Sequence, residues 1–92
     1  MDAFPAFFPL RGKTVIIAGE GEGALAKARL FENSPATVQI VAGSQAYDPD
    51  TYQHAVLVFV AHPDEAFCLQ AAAAARKAGV PVNVVDQPEG VD

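Results

Sequence analysis

Three small residues at fixed spacing, Gly19, Gly21 and Ala24, stand where an apolar run gives way to good helix formers. The stretch reads Lys13-Thr-Val-Ile-Ile-Ala-Gly19-Glu-Gly21-Glu-Gly23-Ala24-Leu-Ala-Lys27. Placed between a strand and a helix, the pattern G-x-G-x-x-A suits a dinucleotide. Gly19 permits the tight turn, and Gly21 lets the backbone approach a pyrophosphate with no side chain in the way. Ala24 lets helix and strand pack closely. The free N–H groups of the new helix would then face the phosphates. On spacing alone, the same glycines would equally shape a tight strand–helix turn.

The other residues able to do chemistry are few. An acid about twenty residues past the glycines commonly holds a ribose hydroxyl, but Gln39-Ile-Val-Ala-Gly43-Ser44 contains none. Ser44 or main-chain groups would take its place. No basic residue lies there for a 2′-phosphate, which favours NAD over NADP. His54, Asp48 and Asp50 lack ligand spacing, so no tetrahedral metal site is expected. His62, beside a helix start, reads as structural. Cys68 falls within a helix and reads as a small buried apolar residue; as the sole cysteine it excludes an intrachain disulfide.

These residues need elements to position them. Thr14–Ala18 is apolar and β-branched, as a strand buried on both faces should be. A helix from Glu22 to about Glu32 is stopped by Asn33-Ser34-Pro35. Thr37–Val41 is a second strand, and Gly43–Gln53 reads as loop. Ala55–Ala61 is the clearest buried strand. Pro63-Asp64-Glu65 opens a second helix, with Pro in its first turn and acids at the positive end of the dipole. That helix passes through Ala71–Ala75, a close-packed face of high propensity, and Gly79 ends it as a left-handed cap. Val82–Val85 is the last strand.

Alternating strands and helices predict an α/β fold: a small Rossmann-like domain, a parallel sheet of about four strands flanked by helices. Strands 14–18 and 55–61 would be central neighbours. Gly19–Gly23, Ala42–Ser44, His62 and Asp86 all follow strand ends and should line one crevice.

The 92 residues fit one domain, 1–92, close to the lower limit for a core without staples. A net charge of −5 argues against nucleic acid, because the six basic residues form three separated pairs and no stripe. The first residues lack the charge and apolar core of a signal peptide. Ala55–Ala61, the longest apolar run, is too short for a bilayer. The expectation is a soluble, cytoplasmic protein with no membrane partner.

Three pieces of the chain resemble the NAD-binding N-terminal domain of siroheme synthase, the precorrin-2 dehydrogenase/sirohydrochlorin ferrochelatase family. Phe4-Pro5-Ala-Phe7-Phe8-Pro-Leu10-Arg-Gly12-Lys13 is similar to the family's opening. Val15–Leu30 resembles its strand, glycine loop and Ala-x-x-Lys-Ala-Arg-Leu helix. Val82-Asn83-Val84-Val85-Asp86 resembles its closing Asn-Val-Val-Asp strand. The resemblance implies NAD-dependent oxidation of precorrin-2 to sirohydrochlorin. It implies Asp86 as the catalytic acid–base group, Glu22 and Gly23 in the loop over the phosphates, and Gly43 and Ser44 against the nucleotide. Away from the resemblance, an aspartate after a strand also suits a turn or helix cap.

The chain departs from the family pattern at four places. Glu20 replaces the middle of three glycines, so Glu20 and Glu22 bring two carboxylates towards a pyrophosphate. The segment between Val41 and Ala55 is too short for the helix and strand expected there. Ala61-His62-Pro63-Asp64 replaces Ala-Thr followed by Asp or Asn. The family continues past this point into a helical dimerisation and chelatase domain, so a tetrapyrrole substrate would need a second chain, a homodimer or a partner supplying that part. The alternative expectation is a non-catalytic dinucleotide-binding or sensing module that kept the fold and lost the reaction.

Overall fold

A computed structural model describes residues 13–85. Its strands are β1 (Thr14–Gly19), β2 (Thr37–Val41), β3 (Ala55–Ala61) and β4 (Val82–Val84), and its α-helices are α1 (Glu22–Leu30) and α2 (Glu65–Lys77). All pairings are parallel, in the order β2-β1-β3-β4. The α/β sheet and the central pairing of β1 with β3 match the expectation from alternating elements. Register places Ala18 beside Val41, Gly19 beside Ala61 and Val60 beside Val84. The carboxyl ends of all four strands therefore share one edge.

Strand alternation splits the core into two layers. Ile16, Ala18, Val58 and Val60 face α2, packing with Phe67, Cys68, Ala71, Ala72, Ala74 and Ala75. Val15, Ile17, Phe59 and Ala61 face the opposite way and pack with Ala24 and Phe31 at the two ends of α1. The alanine run of α2 is thus its packing face, with only Ala73 of the run exposed. Helices on both faces make the sheet doubly wound, and the direction of strand addition reverses between β1 and β3.

Several boundaries correct the sequence reading. Residues 43–53 are not an open loop: they form two short 3-10 helices, Gly43–Tyr47 and Pro49–Tyr52. What organises them is Tyr52, fully buried under α2, whose hydroxyl donates to the Ala46 carbonyl. Helix α1 stops at Leu30, before Pro35 can act, through i→i+3 turns onto Ala28 and Arg29. Pro63 lies one residue ahead of the α2 cap and not in its first turn. Asp64 is that cap, its Oδ1 accepting from the Ala66 N–H at 3.0 Å. At the other end Gly79, at φ 81°, closes α2 as predicted. Its N–H donates to Arg76, and that of Val80 donates to Ala75. Strand β4 ends at Val84, although the Val85 N–H still bonds the Val60 carbonyl at 2.7 Å.

Gly19 does more than turn the chain. Its φ is 146°, and a Cβ there would lie 1.8 Å from the Ala61 carbonyl oxygen. Gly19→Ala should therefore cost at least about 2 kcal/mol of stability, measured by urea unfolding. Tyr52 supplies a pH test. Burial pushes its pKa from 10.0 up to about 12. The folded state keeps the phenol neutral longer than the unfolded chain does, so this contribution is present below pH 10 and is lost as pH rises to about 12. Tyr52→Phe should be less stable at neutral pH by about 1 kcal/mol and should lack that alkaline loss.

Candidate functional site

The crevice at the carboxyl edge is assembled from backbone more than from side chains. Gly21, at φ 89°, carries the chain from β1 into α1, in a conformation that L side chains rarely adopt. It is also the residue before the helix, and no side chain caps that end. The N–H groups of Glu22, Gly23 and Ala24 precede the first intrahelical bond, Leu25 N–H to the Gly21 carbonyl at 3.1 Å. An uncapped helix start behind a glycine turn, with the dipole's positive end outward, fits an anion such as a diphosphate. Ala24 is buried between helix and sheet, where a larger residue would push α1 outward.

One amide of the turn is already committed. The Glu20 N–H donates to the Ala61 carbonyl at 3.1 Å, so the donors left for a ligand begin after Glu20 and not at the start of the turn. Gly43 and Ser44 are exposed just beyond β2, beside the glycine turn by register. Gly43 has φ 72°, and a Cβ there would meet nothing within 4 Å. Asp86 lies outside the described residues. Chain direction and register thus bring Gly19, Gly21, Glu22, Gly23, Ala24, Gly43 and Ser44 to one edge.

Composition alone gave no sign that Glu20 and His62 meet. Glu20 Oε2 and His62 Nε2 are 3.5 Å apart across the ends of β1 and β3. The signal was available in the register: once Gly19 pairs with Ala61, the next residues on each strand must be neighbours. The His62 ring stacks on Phe67, with centroids 4.2 Å apart and planes at 20°. Cys68 Sγ lies 3.3 Å from the His62 carbonyl oxygen, which it meets as donor. Cys68 is buried in the core layer under α2, and that burial pushes its thiol up. Among the described residues no cluster of three or more His, Cys, Asp or Glu side chains could hold a metal ion. None of their helices is long and apolar enough to cross a membrane. An open groove lined by Tyr47, Pro49, Gln70 and Lys77 runs along the later part of α2, away from the crevice.

An open parallel sheet with a glycine turn at its reversal point defines a nucleotide-binding class of α/β protein. The chain belongs to the family described as "Putative NAD(P)-binding", whose model matches residues 6–92. It is 33% identical over 108 residues to the siroheme synthase of Nitrosomonas eutropha, a match covering 97% of this chain and 23% of that protein. The siroheme synthases of Stutzerimonas stutzeri and Pseudomonas aeruginosa strain LESB58 are 36% and 35% identical over 107 residues. Those matches cover 97% and 96% of this chain and 23% of each relative. The chain thus spans less than a quarter of these relatives' length. Each alignment is longer than the chain itself, so the relatives carry positions that this chain lacks.

The Asp64 cap holds the start of α2 beside this crevice. Asp64→Ala should lower stability by about 1 kcal/mol in urea unfolding, and Asp64→Asn should recover most of it.

Proposed function

We propose that this chain is the coenzyme-binding part of a precorrin-2 dehydrogenase-like unit of siroheme biosynthesis, using NAD. The observation that carries the reading is the uncapped start of α1 behind Gly19–Gly21 at the sheet's reversal point. It occurs in a chain similar to siroheme synthases along almost all its length.

In this reading Gly21, Glu22, Gly23 and Ala24 present main-chain donors to the diphosphate, while Gly43 and Ser44 border the ribose. The stretch from Ala42 to Gln53 holds no Lys or Arg, which supports NAD over NADP. When bound, the nicotinamide supplies the hydride acceptor. Asp86 follows directly on Val85, whose N–H is tied to the central strand β3. In this reading the Asp86 carboxylate is the acid–base group, taking a proton from the tetrapyrrole as the hydride leaves. A macrocycle ringed with carboxylates needs cations that this acidic chain does not concentrate, so a second copy or a partner segment completes its binding site.

Calorimetry and thermal shift with NAD, NADH and NADP test the coenzyme. NAD at about ten times its Kd should stabilise the protein by about 1.4 kcal/mol, and NADP should bind more weakly. Incubation with precorrin-2 and NAD, followed by NADH absorbance, tests the reaction, and Asp86→Asn should abolish turnover while leaving NAD binding intact. The compact β2–β3 connection favours the second reading, a binding or sensing module without catalysis. NAD binding with no turnover, and with Asp86→Asn indistinguishable from the unsubstituted protein, would select it.

A further inference from the structure

We infer that His62 is a positioning residue of the glycine turn, holding the Glu20 carboxylate clear of the helix start that receives the diphosphate. The inference rests on the coenzyme reading above and adds to it a way for an acidic turn to accept an anion.

Four observations support it. The first concerns the ring's proton. The Asp64 N–H donates to His62 Nδ1 at 2.9 Å, so Nδ1 presents its lone pair and the ring proton sits on Nε2. That Nε2–H is the group beside Glu20 Oε2, at 3.5 Å. Secondly, the ring cannot swing freely, because it is stacked on Phe67 and its side chain is only 15% exposed. Thirdly, His62 sits on the α2 side of the sheet. It continues the alternation of Val58 and Val60, and Phe67 belongs to that core layer. Helix α1, with Ala24 at its start, packs on the opposite layer. The Glu20 carboxylate is therefore drawn to the side of the crevice away from the free N–H groups of 22–24. Finally, the Glu20 N–H is fixed to the Ala61 carbonyl, so the main chain beneath the carboxylate is anchored and the side chain alone decides where its charge lies. The carboxylate is two-thirds exposed, which keeps the tether weak and its effect modest.

Calorimetric titration of NAD at pH 8 into four proteins tests this: the unsubstituted chain, His62→Phe, Glu20→Ala and the double variant. Phe keeps a ring on Phe67 but removes the donor. His62→Phe should weaken NAD about two- to fivefold by freeing a carboxylate near the diphosphate. The same change in the Glu20→Ala background should leave affinity unmoved. Equal or tighter binding by His62→Phe, or equal losses in both backgrounds, overturns the positioning role. An unsubstituted protein that binds no NAD overturns the coenzyme reading, and with it the purpose assigned to the pair. Ring-nitrogen spectra need neither nucleotide nor a His62 variant. They should show an unprotonated Nδ1 and an Nε2–H resonance that moves on Glu20→Gln, and an Nδ1–H tautomer overturns the tether.

Discussion

The approach of β1 to β3 at their carboxyl ends governs the rest of this molecule. Gly19 admits the Ala61 carbonyl into space that any side chain would occupy, and Glu20 then donates its N–H to that same oxygen. These two contacts fix the level at which the chain leaves the sheet. From there Gly21 can turn straight into α1, and the helix begins with its donors uncovered. A slip of one residue would exchange the two core layers, sending Ile16 and Ala18 to the α1 face. The site is thus a consequence of strand register before it is a consequence of any functional side chain.

The protein achieves a doubly wound sheet in few residues by economy on the α2 face. Ala71, Ala72, Ala74 and Ala75 let the helix lie close to the sheet, and Tyr52 packs with them in the same core layer. Two 3-10 helices carry the chain across from β2 to β3, and the buried Tyr52 hydroxyl satisfies one of their carbonyls. Without that acceptor the buried hydroxyl would be left unpaired, at a cost of roughly 1–3 kcal/mol. The compact connection is therefore a built element, despite its loop-like composition.

Charge is the second constraint on the crevice. Among the described residues no Lys or Arg pair lies at that edge, so a diphosphate proposed there would meet main-chain donors and a helix dipole. Glu20 and Glu22 oppose such a ligand. The imidazole of His62 offers one of them, Glu20, a partner 3.5 Å away across the ends of β1 and β3. Phe67, Asp64 and Cys68 all serve the same short segment between β3 and α2, by stacking, by donation to Nδ1 and by packing beneath its backbone.

Much of this was legible in the chain itself. The apolar β-branched runs at 14–18 and 55–61 have few alternatives to buried parallel strands. Gly79 can end a helix where an L residue would strain, and G-x-G-x-x-A between strand and helix names its own geometry. Those features are local, so propensity and spacing determine them. The 3-10 helices were hidden because their order comes from Tyr52 meeting α2, and the early end of α1 comes from hydrogen bonds that no proline announces. The reason for Gly19 and the meeting of Glu20 with His62 depend on which strands lie side by side, and in which register. Residues some forty positions apart become neighbours only when the sheet forms, so tertiary structure alone could decide where those charges lie.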